Sequence, residues 1–362
     1  MLAALLSGVS ALAVAAPPDR RFAWIAAIEK SGGGKTFQLK AQTYYIDRNY
    51  NLPDGTSVIG AGSRGAGTNV VAVATKPAQT CGNFHGCGPN HVNRVGFVLG
   101  SRCRIASLHY AGIERARYPD SHPMCGGAPF QTPGCATPFC ENAANASWLV
   151  GSGKPVRDSV VEDITISGGT VQNAFWMPAT PGTGYCTNIT ARNLVVTGNC
   201  AKPGPCSPAA DGSGGGGTWA DGVNIHGAHR GILVEGNRIS HTGDDGFAIW
   251  SKGGAETGVS FVNNSCASPR YPKTWAASCF AMYGGNQSAF VNNTCVQSGQ
   301  RGALYLTGGF GGTFIANVSF VSVAGNNFSA CCPLAPSACG IHGPVRAPGC
   351  AKNASASWRP LL

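Results

Sequence analysis

Short apolar runs separated by Gly, Asn and Ser recur through the middle and end of this 362-residue chain. Four of them share one form, in which apolar residues alternate with others before a Gly or Ser: Val223-Asn-Ile-His-Gly, Phe247-Ala-Ile-Trp-Ser, Phe280-Ala-Met-Tyr-Gly and Leu304-Tyr-Leu-Thr-Gly. A period of two is typical of a strand with one buried face, and no 3.6-residue helical period runs through this region. The pattern predicts short β-strands whose inward residues include Val223, Ile225, Phe247, Ile249, Phe280 and Met282.

A second feature repeats between these runs, namely an Asn followed two residues later by an apolar residue or Cys. It occurs at five positions: Asn193, Asn237, Asn264, Asn293 and Asn326. The gaps between the last four are 27, 29 and 33 residues, which suits one coil of a solenoid. We expect their amides to stack as a buried ladder along the solenoid axis, although Asn is also common in ordinary turns.

Strands at this spacing without intervening helices predict an all-β fold, a single-domain right-handed parallel β-helix. A sandwich or propeller would need hairpins with two-residue turns, and the chain has few convincing candidates. Residues 44–62 predict the first strands and turns of the solenoid, and residues 22–30 predict a short helix that covers its open end. The cysteine-containing segments 119–154 and 197–218 are predicted to be disulfide-pinned loops.

The composition indicates secretion. Residues 1–16 form an apolar run with small residues before Pro17, as in a signal peptide, and the alternative is a buried N-terminal helix. Sixteen cysteines fit an oxidising compartment. Eight sequons for N-glycosylation point the same way: Asn145, Asn188, Asn263, Asn286, Asn292, Asn317, Asn327 and Asn353. We therefore expect residues 17–362 to be an extracellular, soluble, monomeric catalytic domain with no membrane contact after signal cleavage.

The charged residues and the cysteine spacing exclude other classes of function. The net charge is +10, but Lys and Arg are scattered rather than clustered on one element, so nucleic-acid binding is not predicted. We interpret the charge as an aid to solubility, with a polyanionic substrate as the alternative. The cysteines form no Cys-x-x-Cys pairs beside a histidine cluster, so neither zinc nor any other metal or cofactor is predicted.

Two Asp-Gly pairs carry the candidate chemistry. Asp221 and Asp245 are 24 residues apart, about one coil, and Asp244 precedes the second pair. Successive coils stack about 4.8 Å apart, so the three carboxylates should crowd one patch. Such crowding is repulsive and stability alone would not select it, whereas an isolated Asp-Gly would only mark a turn. Glycoside hydrolysis needs this residue type, with one carboxyl group protonated and one ionised.

A row of large side chains is expected beside the acids. His226, Trp250 and Tyr283 share the outward phase of three successive strands, and Trp219 lies two residues before Asp221. Aromatic rings next to carboxylates suit the apolar face of a sugar, so these four residues are candidate substrate contacts. The alternative is an aromatic ladder that merely stabilises the sheet beneath a loop.

At these residues the chain resembles glycoside hydrolase family 87, the α-1,3-glucanases and mycodextranases of the pectin-lyase-like β-helix superfamily. The resemblance rests on Trp219-Ala-Asp-Gly, Thr242-Gly-Asp-Asp-Gly and Ala248-Ile-Trp-Ser, and it is specific over residues 219–251. It implies a polysaccharide substrate and an inverting reaction at Asp221, Asp244 and Asp245. By analogy with related β-helix hydrolases, Asp244 is implied as general acid, with Asp221 and Asp245 holding the nucleophilic water. Polygalacturonases also carry Gly-His-Gly and Arg-Ile-Lys motifs, which this chain lacks.

Two alternatives remain from the sequence. A hydrolase or lyase of an anionic, pectin-like polysaccharide could use the same fold, and a lyase could employ Arg301 as its base and calcium held by the three acids. A non-catalytic solenoid that binds wall polysaccharide is the alternative of another class. Crowded carboxylates argue against it, because a binding protein gains nothing from their repulsion.

Two cysteines test the coil assignment independently of function. Cys266 and Cys295 each follow a ladder Asn by two residues, in consecutive coils. Stacked coils place their Cα atoms about 4.8 Å apart, within the range that a disulfide spans. We predict that they are inward neighbours, either bridged or stacked as thiols, and that Asn263 and Asn292 point outward.

Overall fold

A computed structural model describes residues 20–47, 49–72, 96–111, 149–150, 155–167, 170–171, 175–178, 186–197, 217–218, 221–226, 229–242, 245–251, 257–267, 277–297, 302–308, 318–319, 321–328 and 341–342. The predicted signal peptide lies outside these residues, as do the cysteines of the two predicted loops and Arg301. No helix in the described ranges is long and apolar enough to cross a membrane.

The described residues form a short 3-10 helix, one α-helix and 28 strands. The helices are η1 Arg20–Phe22 and α1 Ala23–Glu29. The strands are β1 Thr36–Gln38, β2 Thr43–Ile46, β3 Asn49–Asn51, β4 Ser57–Ile59, β5 Asn69–Ala72, β6 Gly96–Leu99, β7 Arg104–Ala111, β8 Leu149–Val150, β9 Arg157–Ser167, β10 Thr170–Val171, β11 Phe175–Pro178, β12 Cys186–Arg192, β13 Val195–Thr197, β14 Gly217–Thr218, β15 Val223–His226, β16 His229–Glu235, β17 Arg238–Ser240, β18 Phe247–Trp250, β19 Thr257–Val262, β20 Ser265–Ala267, β21 Phe280–Tyr283, β22 Gly285–Asn286, β23 Ala289–Val291, β24 Thr294–Gln297, β25 Leu304–Thr307, β26 Val318–Ser319, β27 Ser322–Ala324 and β28 Ile341–His342.

The strands pair in parallel with their counterparts one coil away, which confirms the predicted parallel β-helix. One sheet, here called the site sheet, contains β11, β15, β18, β21, β25 and β28 in that order. A second sheet contains 17 strands from the other sides of the coils. A small sheet of three strands contains β3, β6 and β8, and another of two strands contains β10 and β14. The helix α1 packs beside the first coil, where Ile25 and Ile28 join its core, as predicted for a cap.

The inward residues predicted on the site sheet are all fully buried. Val223 pairs with Phe247 and then Phe280 along the stack, and Ile225 pairs with Ile249 and then Met282. The Phe247 and Phe280 rings are parallel with centroids 5.0 Å apart, so the core is a column of like side chains. Burial of this column from water is what holds successive coils together.

The predicted asparagine ladder is present at four of its five positions. The Oδ1 atoms of Asn264, Asn293 and Asn326 each accept two hydrogen bonds from the ladder Asn of the preceding coil. One donor is that residue's backbone N–H and the other is its Nδ2, and the series ends at Asn237. The fifth position was wrong by one residue. Leu194, not Asn193, donates its N–H to Asn237, over 2.8 Å.

Residues immediately before the ladder adopt left-handed backbone conformations. Asn193, Asn263 and Asn292 have φ of 54°, 54° and 52°, and Gly236 and Gly325 occupy the same place in other coils with φ of 65° and 64°. Asn and Gly tolerate this conformation better than most residues. Asn193 therefore belongs to the turn, where its Nδ2 donates to Asp163. Asn263 and Asn292 are exposed, as predicted.

The register predicted for the two cysteines is confirmed, but their bonding differs from either expected form. Cys266 pairs with Cys295 along the stack, and both side chains are buried. Cys266 is bonded to Cys279, whereas Cys295 is not in a disulfide. The disulfide closes the connection between β20 and β21, because Cys279 immediately precedes β21 in the core beside Cys266.

Candidate active site

The structure places Asp221 and Asp245 directly over each other at the entry to the site sheet. The backbone N–H of Gly222 donates to the carbonyl oxygen of Asp245, over 3.0 Å, and the strands that follow stay in register. The 24-residue offset between the aspartates is therefore one complete coil. Both side chains are almost fully removed from solvent, with exposed fractions of 3% for Asp221 and 1% for Asp245.

The carboxylate of Asp221 is held by two donors. Its Oδ1 accepts the backbone N–H of Asp245 over 3.0 Å, and its Oδ2 accepts the side-chain amide of Asn224 over 2.5 Å. The first donor belongs to the next coil, and the second belongs to β15, the strand that follows Asp221. The two bonds fix the plane of the carboxylate against the coil stack.

The carboxylate of Asp245 is held in a similar way. Its Oδ1 accepts the backbone N–H of Ser278 over 2.6 Å, and its Oδ2 accepts the hydroxyl of Tyr283 over 2.7 Å. Both donors belong to the following coil. Hydrogen bonds donated to a carboxylate favour its ionised form, whereas burial and a neighbouring carboxylate oppose ionisation.

Two glycines let the coils approach closely at this point. A Cβ atom on Gly222 would lie 2.5 Å from Ile239 Cγ2 and 2.7 Å from the carbonyl oxygen of Gly246. A Cβ atom on Gly246 would lie 2.6 Å from the sulfur of Cys266 and 2.8 Å from the carbonyl oxygen of Cys279. Any side chain here would push the aspartate turns apart. The Asp-Gly sequence thus combines the acid with the only residue that the packing admits.

The three predicted outward residues are paired in the expected register, but one of them, Tyr283, is buried. His226, Trp250 and Tyr283 are stacked neighbours on β15, β18 and β21, and Trp250 is partly exposed. The Trp250 and Tyr283 ring centroids are 5.0 Å apart. Tyr283, however, is only 2% exposed and points its hydroxyl at Asp245. Tyr283 therefore contacts the acid instead of offering an open face to a sugar.

The remaining predicted site residues lie outside what the structure describes. Trp219 and Asp244 are not among the described residues, and for His226 only the backbone is described. Burial lowers the pKa of His241, which directly follows β17 in the sequence. Its imidazole is therefore uncharged at neutral pH.

The sequence pattern did not single out Asn224 or the backbone of Ser278. Asn224 follows Asp221 by three residues on the outward face of β15. Its available signal was a polar residue between two inward apolar ones, Val223 and Ile225. Ser278 contributes only a backbone N–H, which no side-chain pattern marks. In the part of the chain that is described, no group of three or more His, Cys, Asp and Glu residues is arranged to hold a metal ion.

Comparisons with known proteins bear on the fold. No protein-family model and no curated protein matches the chain. Among solved structures, it is similar to the catalytic unit of a thermostable GH87 α-1,3-glucanase from Streptomyces thermodiastaticus strain HF3-3, with a TM-score of 0.56 and 18% identity. The match covers 86% of this chain and 44% of that one. The Agl-KA catalytic domain gives a TM-score of 0.55 and 17% identity, covering 84% of this chain and 43% of that one.

The chain thus spans less than half the length of either structure. At such low identity the similarity establishes a shared architecture, the parallel β-helix. Because one of the two structures is that of a GH87 α-1,3-glucanase, the resemblance to glycoside hydrolase family 87, first seen over residues 219–251, is confirmed at the level of the fold.

Proposed function

We propose that the protein is a secreted glycoside hydrolase that cleaves an α-glucan with α-1,3 linkages and inverts the anomeric configuration. One observation carries the proposal: two aspartates of successive coils stack as buried, hydrogen-bonded carboxylates where the chain enters β15 and β18 of the site sheet. The similarity in fold to a GH87 α-1,3-glucanase supports the choice of substrate.

The paired aspartates are suited to the role of general base in an inverting reaction, in which a carboxylate activates a water molecule. An ionised carboxylate can only accept hydrogen bonds, and it can also accept a proton. Either aspartate is therefore suited to take the proton of a nucleophilic water molecule. In the proposed reaction this water attacks the anomeric carbon and loses a proton to Asp221 or Asp245. Asp244 donates a proton to the glycosidic oxygen as the carbon–oxygen bond breaks.

Substrate binding is assigned to the row of outward residues. Trp250 is partly exposed on β18, where its ring can stack on the apolar face of a sugar. Trp219 and His226 remain predicted contacts on either side of Asp221 in the sequence. Tyr283 is assigned to the aspartates because of its bond to Asp245.

Product analysis on a panel of polysaccharides tests this function. Purified protein would be incubated with α-1,3-glucan, a mixed α-1,3/α-1,4-glucan and a polygalacturonate. We expect reducing sugars from the first two, and β-anomers as the first products in proton NMR spectra of fresh digests. Release of the α-anomer first would show that the reaction retains configuration.

The same panel separates the alternatives. Cleavage confined to polygalacturonate would indicate an enzyme for anionic polysaccharides, and an unsaturated product would identify a lyase. Binding to α-glucan without any released sugar would indicate a non-catalytic solenoid.

A further inference from the structure

The hydroxyl of Tyr283 makes an unusual contact for an outward-facing tyrosine. Tyr283 lies in register with Trp250, yet its Oη is 2.7 Å from Oδ2 of Asp245, five residues before Trp250 in the preceding coil. Ala248 and Ala281 occupy the outward positions between the two registers, and their small side chains leave room for the ring. The phenol therefore reaches back along the sheet to the carboxylate.

This contact gives Asp245 a second anchor. The N–H of Ser278 fixes one carboxylate oxygen, and Ser278 is itself fixed because its carbonyl oxygen accepts the N–H of Gly246 over 2.9 Å. A carboxylate anchored through one oxygen can still rotate about its Cβ–Cγ bond. The Tyr283 hydroxyl holds the second oxygen, so the two bonds together fix the plane of the carboxylate.

Asp221 has a corresponding second anchor of a different chemical kind. Its Oδ2 accepts from the amide of Asn224, a group that does not titrate. The phenol of Tyr283 is a stronger hydrogen-bond donor than an amide, and its charge-assisted bond to the carboxylate is correspondingly strong. Each aspartate therefore has a second side-chain donor, but the donor to Asp245 is the stronger one.

We propose that Tyr283 is a positioning residue for Asp245, which holds this carboxylate ionised and oriented toward the nucleophilic water. The inference rests on the proposed function of the site. Tyr283 acts through Asp245 and does not itself exchange a proton with the substrate. Its loss should therefore affect the turnover step and its pH dependence more than substrate binding.

The test uses Tyr283→Phe, which removes the hydroxyl and keeps the ring beside Trp250 and Tyr305. We expect kcat on α-1,3-glucan to fall about 10- to 100-fold, the range for losing a hydrogen bond to a charged group. KM should change by less than about threefold, because the lost interaction acts in the transition state. The acid limb of the pH–rate profile should move to higher pH, because the carboxylate loses a donor that favours its ionised form.

The chain offers a matched control. Tyr50 is also 2% exposed, and its hydroxyl donates to Oδ1 of Asp47 over 2.6 Å, but it lies in the first coil beside α1. Tyr50→Phe removes the same kind of bond away from the site. We expect it to lower thermal stability while leaving kcat, KM and the pH profile of the enzyme within about twofold of the parent.

The outcomes are distinct. If Tyr283→Phe is folded but leaves kcat and the acid limb as in Tyr50→Phe, Tyr283 is structural only and the inference is wrong. If Tyr283→Phe does not fold, replacing Tyr283 by 3-fluorotyrosine keeps the shape and strengthens the donor, and we expect the acid limb to move to lower pH. An unmoved limb would again refute the inference.

A measurement without turnover separates this inference from the proposed function. Carbon-13 NMR of the Asp245 carboxyl group follows its titration directly in the parent and in Tyr283→Phe. We expect the midpoint to rise in the variant whatever the substrate is. If the parent cleaves no polysaccharide, the proposed function fails, whereas an unchanged midpoint overturns the role of Tyr283 alone.

Discussion

Two columns of buried polar side chains run along the coil stack, and they differ in composition. The asparagine ladder extends over four coils, and the two inner amides each donate to one ladder Asn and accept from another. The aspartate column extends over two coils, and the next position is Ser278. A neutral amide ladder can grow with every added coil, whereas stacked carboxylates can only accept hydrogen bonds and repel each other.

The difference shows what each column is for. The ladder satisfies buried backbone groups at a turn, so it stabilises the solenoid at every coil in which it occurs. The aspartate column meets a similar need at Asp245 and Ser278, but with residues that cost electrostatic energy. Proteins tolerate such a cost mainly at functional sites, where activity and stability trade against each other.

The largest expected effect comes from converting the aspartate column into amides. Asp221→Asn, Asp244→Asn and Asp245→Asn should each lower kcat by about 10²- to 10⁴-fold, the usual contribution of an acid or base. The melting temperature of Asp221→Asn should stay close to that of the parent. The repulsion is gone and an amide oxygen still accepts the N–H of Asp245, but the new amide nitrogen replaces the oxygen that accepted from Asn224. Kinetics on α-glucan and thermal denaturation measure the two effects.

Asp54→Asn is the control for these variants. Asp54 also accepts a backbone N–H from the next coil, that of Ser101 over 2.9 Å, but far along the chain from the site. Its kcat should match the parent. A site variant that keeps near-parental turnover would remove its aspartate from the mechanism.

The next effect concerns the ladder and should appear in stability alone. Asn264→Ala removes the acceptor of two donors on Asn237 and the donor to the carbonyl oxygen of Val234, all buried. Because each orphaned group costs about 1–3 kcal/mol, we expect the free energy of unfolding to fall by about 3–4 kcal/mol. Urea denaturation measures the loss, and kcat of the folded protein should be unchanged.

The adjacent Asn263→Gly serves as its control. Asn263 is exposed with φ of 54°, a conformation that Gly adopts without strain, so stability should change by less than about 0.5 kcal/mol. Equal losses in the two variants would mean that the ladder contributes nothing specific.

The smallest expected effect is on stability and concerns Glu162, a carboxylate that is paired with arginines of two neighbouring coils. Glu162 accepts from Nε of Arg104 over 2.5 Å and from Nε of Arg192 over 2.6 Å. Burial raises the pKa of Glu162, but the hydrogen bonds and charges of the two arginines outweigh it, so the pKa lies below its usual value. A lowered pKa in the folded state contributes stability at neutral pH that is lost as the pH falls through that pKa.

Glu162→Gln should therefore destabilise the protein at pH 7 by about 1 kcal/mol, in the upper range for a partly exposed ion-pair network. The difference between parent and variant should shrink as the pH falls below about 4.3, the usual pKa of Glu. Urea denaturation at neutral and acidic pH tests this. A difference that does not depend on pH would assign the effect to packing.

The sequence predicted the coils because their signals are local. Alternating apolar residues fix which side chains of a strand point inward, and each coil pairs with the next in chain order. The offsets of 24 residues between the aspartates and 27, 29 and 33 between the ladder asparagines therefore gave the correct register. The α1 cap and the buried pairs of the site sheet followed from the same reasoning.

Only the tertiary structure decided which side chains of different coils contact each other. Tyr283 and Trp250 have the same phase in sequence, yet the hydroxyl of Tyr283 is bonded to Asp245 of the preceding coil. Cys266 is bonded to Cys279 and not to its stacked neighbour Cys295, because the connection to β21 returns Cys279 to the core beside it. Asn193 belongs to a left-handed turn, one residue away from the ladder. Sequence periodicity specifies phase within a strand, whereas these contacts depend on the shape of the turns and on the volume of neighbours from other coils.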